Sequence, residues 1–335
     1  MVWLRKNYLG ILMSFVLALA ATWLGNKFPI IGGPVFGIVI GIIISNIFGK
    51  PSWAEDGVKF TSKKILQWSI IVLGSGLSLT QVWKTGLESL SVMLVTLSCA
   101  FIAAYGFGRL MKIPFKLTSL IGVGTAICGG SAIAAISPII DAEEKDVAYS
   151  ISTIFLFNIL AVLIFPPIGH LVGFSDTAFG LWAGTAVNDT SSVVAAGYAF
   201  SNSAGAYATI VKLTRTTMII PISLIFAFAY AYKRKKSAKT ESSINYSFKR
   251  IFPWFILGFL TTSLLNTLGV FSENTISILS VTAKFLIVMA LTAVGLNADF
   301  SKMIKTGLKP LLLGLIVWVT VSVASIGVQY VTGQM

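Results

Sequence analysis

The chain has 335 residues, 56% of them hydrophobic and 11% charged, a balance that no water-soluble domain of this length sustains, so the soluble classes are excluded at the outset. Its net charge of +13 would point to nucleic acid in a soluble protein, but the Lys and Arg residues lie between apolar runs, where they report membrane topology instead. The partner this composition implies is the lipid bilayer, with no nucleic acid. Cys99 and Cys128 both sit inside apolar runs and His170 is the one histidine, which leaves no disulfide framework and no His/Cys metal centre.

Eleven apolar segments follow in order, at about 8–26, 29–48, 64–83, 86–108, 118–140, 147–168, 177–201, 205–232, 252–271, 276–298 and 307–331. Each is close to the length that spans about 30 Å of hydrocarbon. The expectation is an all-α polytopic membrane protein, one integral domain over 1–335, with 9–11 transmembrane segments of which two are broken or re-entrant. The N-terminus, with Arg5, Lys6, an apolar run and Ala18-Leu19-Ala20, mimics a signal peptide, but the run continues through Trp23. If every segment crosses, one side collects Arg5, Lys6, Lys50, Lys59, Lys63, Lys64, Arg109, Lys112, Lys116, the basic tract within 233–250, Lys302, Lys305 and Lys309. The other side holds Lys27, Lys84 and Lys145. The positive-inside rule then puts the N-terminus and the 233–250 loop in the cytoplasm and the C-terminus outside, with the chain in the inner or plasma membrane.

Two stretches interrupt their segments at the middle, GTAICGGSAIAA over Gly124–Ala135 and GTAVNDTSSVVAA over Gly184–Ala196. Each opens on Gly-Thr-Ala, passes a polar or glycine-rich tip, and closes on Ala-Ala. A break at membrane depth survives only where protein buries it or a watery cavity solvates it. A second repeat relates 64–87 to 284–308: both begin Lys-X-Leu and end Lys-Thr-Gly-Leu. As the third and tenth segments these run in opposite directions, the signature of an inverted-topology transporter. The broken pair, fifth and seventh, would be parallel if each crossed once and antiparallel if each were a re-entrant hairpin. Inverted symmetry favours hairpins and nine crossings.

At the first tip, Cys128-Gly129-Gly130-Ser131, a helix restarting after the break offers free amides and a positive dipole end, a seat for an anion. The competing reading is that the glycines serve close helix packing. The second tip is Asn188-Asp189-Thr190-Ser191-Ser192, and Asp189 is the one acid well inside an apolar segment. It reads as a counter-charge to a base, as a proton or sodium site, or as a helix N-cap. In the next segment Lys212 and Arg215 share a helix face. Counted from Gly205, Arg215 lies about 15 Å deep, with Lys212 shallower. Arg215 reads as a bidentate anion ligand or as the partner of Asp189. Asn158, in the segment after the first tip, lines the same site or bridges helices.

The two tips, the Lys-Leu-Thr-Arg that follows the second, and the SGLSL element together resemble the YeiH-like family of bacterial membrane proteins, associated with sulfate export. The likeness spans essentially the whole chain. It implies kinship with inverted-repeat carriers such as bile-acid sodium symporters and cation/proton antiporters, and supplies no established site residues. The reading that results is a secondary transporter exporting a small inorganic or organic anion such as sulfate by alternating access. The alternative is a sodium- or proton-coupled carrier of an organic anion, with no cofactor beyond Na+ or H+. An anion channel ranks lower, as does a membrane-embedded enzyme, for which the chain offers no metal cluster, acid dyad or nucleophile–base pair. The oligomeric state is open, a homodimer among the options.

Overall fold

A computed structural model describes residues 2–28, 32–49, 52–236, 254–298 and 307–335, and every regular element among them is helical. Six helices are long and apolar enough to cross a membrane, and two shorter apolar ones, Gly32–Phe48 and Trp254–Thr267, join them. Ile102, Leu171 and Val323 point outward along these helices, as side chains do where lipid replaces water. The chain is an all-α polytopic membrane protein.

In order, the helices are α1 (Val2–Lys27), α2 (Gly32–Ile43, continued by a π turn over Ile44–Phe48), α3 (Glu55–Phe60), α4 (Leu66–Leu73) and α5 (Leu79–Leu110). Then come α6 (Phe115–Ala126), α7 (Gly130–Ile136), α8 (Glu144–Val172), α9 (Asp176–Ala186), α10 (Thr190–Phe200), α11 (Asn202–Thr217) and α12 (Ile219–Lys236). The last three are α13 (Trp254–Thr267), α14 (Glu273–Leu296) and α15 (Leu308–Thr332). Most of the 233–250 tract and of the second repeat's end, from 299 to 306, lies outside the described residues.

Small residues let the outer helices approach. Gly33, Gly37 and Gly41 form one stripe on α2, and a methyl group at Gly41 would stand 2.4 Å from the Thr292 carbonyl oxygen of α14. Without a hydrophobic drive between helices in lipid, such close backbone contact supplies the association through van der Waals packing.

The third pass is one continuous helical run from Ser52 through α3, a π turn at Thr61–Ile65, α4 and a 3-10 turn at Gly74–Gly76. The break before α5 therefore falls at Leu77 and Ser78, not at 84–85 as the apolar pattern suggests. Ser78 is extended and its Oγ accepts from the Gln81 amide, an N-cap that starts α5 there. Lys84, which reads as a loop residue, lies on the exposed face of α5 and pairs with Glu88 at 3.8 Å one turn on. The repeated elements are antiparallel as expected: Asn297, ending α14, donates to Ser62 Oγ at the start of the other copy, 3.0 Å away. Their helices end at matched positions, Gly76-Leu77-Ser78 and Gly295-Leu296-Asn297.

Both broken segments are re-entrant hairpins. In the second, Gly180 of α9 packs on Ala204 and Tyr207, and Gly184 on Ala208 and Val211, so α9 and α11 are parallel. Because α10 turns into α11 at Ser201, α10 must run back against α9. The Phe179 and Phe200 rings, at the mouth of the hairpin, stack 4.0 Å apart. In the first hairpin, α6 and α7, Lys116 Nζ donates to the Asp141 carbonyl at 2.5 Å, closing its mouth in the same way. The long helix α8 begins beside the first mouth and ends beside the second, so the hairpins enter from opposite faces of the bundle. Nine helical passes surround them among the described residues.

One charge changes sides as a result. Lys145 follows a hairpin rather than a crossing, and it lines a surface recess with Lys116 and Tyr230 at the same end of the bundle. Lys27 and Lys84 alone remain of the three cations expected at the other end.

Candidate functional site

The site is built from the ends of four half-helices. Each repeated Gly-Thr-Ala is the last turn of an entering helix, α6 ending at Ala126 and α9 at Ala186. The final carbonyls of a helix have no partner within it and carry its negative dipole end. Two such ends converge here, and both cations of α11 meet them. Arg215 Nε donates to the Ala126 carbonyl at 2.7 Å and Nη2 to that of Thr125 at 2.8 Å, while Nη1 donates to the Thr185 carbonyl. Lys212 Nζ donates to the carbonyls of Ile127, 2.8 Å, and Val187, 2.9 Å. One helix face thus joins the two hairpins through five backbone oxygens.

Both cations are 0% exposed. The expected gradient of depth between Lys212 and Arg215 is absent, because each reaches the same level of the bundle from neighbouring turns. Nor does Arg215 pair with Asp189: its hydrogen-bond partners among the described residues are carbonyls, and no ion pair there ties either cation to that carboxylate.

Asp189 instead caps α10. Its Oδ1 accepts from the Ser192 amide at 2.8 Å and its Oδ2 from the Ser191 hydroxyl at 2.7 Å. Asn158 lies fourteen residues from either end of α8, and its Oδ1 accepts from the amides of Asn188, 3.1 Å, and Asp189, 3.3 Å. This fixes the second tip to the middle of the central helix. The first tip arrives from the other face: Gly129 has φ +67°, and a methyl group on it would stand 3.0 Å from Asp189 Cβ. The tips touch, as the inverted-hairpin reading expects. Glycine is required at 129 both by this contact and by a backbone that side-chain-bearing residues rarely adopt.

Of the other candidates, Cys128 is buried at the first tip, Gly130 is half-buried and Ser131 is exposed, with no contact that draws its hydroxyl toward the second hairpin. Thr190 is half-buried, and Ser191 and Ser192 are buried in the first turn of α10. Asn188 is 0% exposed, yet neither its Oδ1 nor its Nδ2 has a protein partner among the described residues. A buried polar group left so costs about 1–3 kcal/mol.

Sequence reasoning missed Thr125 and Thr185 as site residues, although the repeated Gly-Thr-Ala was the signal. Thr125 Oγ1 is buried without a partner among the described residues. Thr185 Oγ1 donates back to Leu181 and meets Ser325 Oγ at 2.7 Å, and Ser325 in turn accepts from Gln329 at 3.2 Å.

The family model described as conserved hypothetical protein 698 matches residues 9–314. A UPF0324 membrane protein of Fusobacterium nucleatum is 45% identical over 98% of this chain and 99% of its own. Another from Clostridium tetani is 44% identical over the full length of both, and one from Streptococcus agalactiae 46% over 98% of each. The chain belongs to the UPF0324, or YeiH-like, family of membrane proteins.

Proposed function

We propose that this protein is a secondary transporter of the cytoplasmic membrane that moves a small anion by alternating access, and is not an enzyme. The observation that carries the reading is the meeting of two re-entrant hairpins, entered from opposite faces, beside Asn158 at the centre of α8. A site reached by one hairpin from each side can be opened to either side by moving one of them, as in carriers with discontinuous helices.

The sign of the cargo follows from the local charge. Two cations and the positive ends of α7 and α10 outweigh one carboxylate and the negative ends of α6 and α9, each helix end counting as roughly half a charge. The surplus is about one positive charge. Lys212 and Arg215 supply this field while bound to carbonyls, and the Gly129 amide, expected to be free, donates to the Gly124 carbonyl at 2.9 Å, so an anion is held by Ser131, the Gly130 amide and the tip from Asn188 to Ser192. For orientation, the basic end of the bundle faces the cytoplasm. Export of an anion from a negative-inside cell gains about 2.3 kcal/mol per charge per 100 mV, so sulfate would leave without a coupling ion.

The test is flux of labelled sulfate and small organic anions in proteoliposomes with an imposed potential. Absence of potential-driven flux for all of them would end the carrier reading. Cysteines placed at Lys116 and Lys145 should both label from the cytoplasmic face, and labelling from opposite faces would break the hairpin topology. One observation favours a second reading: the half-buried Asp189 carboxylate beside the free Asn188 amide suits a sodium ion or a proton. In that case flux depends on a sodium or proton gradient.

A further inference from the structure

Asn188 stands apart from every other polar residue at the tips. Its backbone amide is held by Asn158, its neighbour Asp189 is spent on the cap of α10, and the carbonyl of Val187 on its other side takes Lys212. The side chain alone is unmatched, 0% exposed, with donor and acceptor both lacking a protein partner among the described residues. Because both amide atoms are unmatched, the conclusion holds whichever way the amide is turned. On the facing hairpin the Thr125 hydroxyl is also buried and unmatched. Its repeat counterpart Thr185 is bonded twice over, to Leu181 and Ser325, so an unmet hydroxyl is not a property of the Gly-Thr-Ala turn. Two polar side chains, one on each hairpin, are thus kept in a dry core at a cost with no return inside the protein.

We infer that Asn188, seconded by Thr125, is a ligand contact of the tip site, and that the anion taken there carries an O–H or N–H donor of its own. This inference rests on the carrier reading above and narrows its cargo. A bare dianion such as sulfate accepts hydrogen bonds only. It would satisfy Asn188 Nδ2 and Thr125 Oγ1 and be repelled by Asn188 Oδ1 and Asp189. A hydroxyl- or amino-substituted organic acid offers an acceptor to the first pair and a donor to the second. Since Asn188 touches no water-sized space, such a ligand enters only as the two tips part, which couples recognition to hairpin movement.

The experiment uses the full-length protein in detergent and in proteoliposomes, with matched probes differing by one hydroxyl: 2-hydroxyethanesulfonate against ethanesulfonate, lactate against propionate, and sulfate as the bare oxyanion. Wild type should bind the hydroxylated member of a pair at least about tenfold more tightly, as sites built around a ligand hydroxyl do. Asn188→Leu should erase that preference while unfolding no earlier than wild type without ligand, because it removes two unmet polar atoms at similar volume. Equal affinity within both pairs, binding of none of the probes, or a preference that survives Asn188→Leu overturns the inference. So does failure of Asn188→Leu to fold, which would mean the amide serves the fold. Stabilisation by sodium alone that is lost in Asn188→Leu would make Asn188 a cation ligand and equally overturn it. The outcomes separate from those of the carrier reading: selective binding without flux leaves the inference and ends the carrier, whereas equal flux of all the probes does the reverse.

Discussion

The two hairpins enter alike and leave differently. Both deliver a Gly-Thr-Ala turn whose carbonyls are gripped by α11, so the entering halves are pinned to one helix by charge. The leaving half of the second hairpin, α10, has eleven residues, an Asp189 cap and an almost continuously buried sequence from Ser191 to Ala199. The leaving half of the first, α7, has seven residues, no side-chain cap, and exposed Ser131 and Ala134 on one face. Low burial and unsupported backbone bonds are what make a segment open easily. On this comparison we expect the second hairpin to be the fixed wall of the proposed site and the first its moving part, and the predictions below strike at one or the other.

The largest effect belongs to what they share. Arg215→Ala leaves three carbonyls from both hairpins without a donor, at about 1–3 kcal/mol each. Thermal unfolding in detergent should fall by about 5–15 °C, and anion flux should vanish. Arg215→Lys keeps the charge but not the fork, so it should lie between. Lys212→Ala, which frees two carbonyls, should be nearly as harmful, where a shallow lysine would have been mild. Normal stability in Arg215→Ala would show that the carbonyl contacts do not hold the hairpins together.

Gly129→Ala comes next. It places a methyl group 3.0 Å from Asp189 Cβ on a backbone with φ +67°, a strain of about 1–3 kcal/mol. The hairpins should part slightly, so flux should drop by more than tenfold while Tm falls only a few degrees. Gly130→Ala, with open space around its position, is the control for strain and should leave Tm nearly unchanged.

Much of this was legible in the sequence, for reasons that particular residues make plain. Gly-Thr-Ala written twice, at 124 and 184, marks the two breaks, because hydrocarbon punishes an unpaired backbone and so confines polar tips to sites. Lys64 and Lys284 opening matched runs gave the opposed directions. The partners of Arg215 were not legible, because a carbonyl belongs to every residue and leaves no letter behind; Asp189, the nearest visible acid, drew the pairing instead. The start of α5 was hidden because Ser78 caps a helix whose first turns carry Lys84 on an exposed face. Lys145 falls at the other end only when the first broken segment is counted as a crossing, which is how hydropathy counts a hairpin.

Asp189→Asn tests the fixed wall more gently. Asparagine caps a helix about as well as aspartate, so stability should change by no more than about 0.5 kcal/mol, whereas Asp189→Ala should cost about 1 kcal/mol. Flux then separates the mechanisms. An uncoupled exporter keeps potential-driven flux in Asp189→Asn, and a cation-coupled carrier loses its dependence on the driving ion, usually with transport itself.

The smallest effect is expected at Ser131, and it bears most directly on the moving part. Its hydroxyl has no partner among the described residues and its side chain is exposed, so Ser131→Ala should change stability by less than about 0.5 kcal/mol. What distinguishes the position is reach. In a background where Cys99 and Cys128 are replaced by alanine, Ser131→Cys should react with a membrane-impermeant maleimide added from the face at which the first hairpin has its mouth, while Asn188→Cys stays protected. Water must approach Ser131 if α7 borders an access route, whereas a face turned to hydrocarbon would hold the thiol un-ionised and out of the reagent's reach. Labelling that slows when a transported anion is added would tie that route to the site. An inert Ser131→Cys, from both faces and in all conditions, would place α7 against lipid and leave the second hairpin as the better candidate for the part that moves.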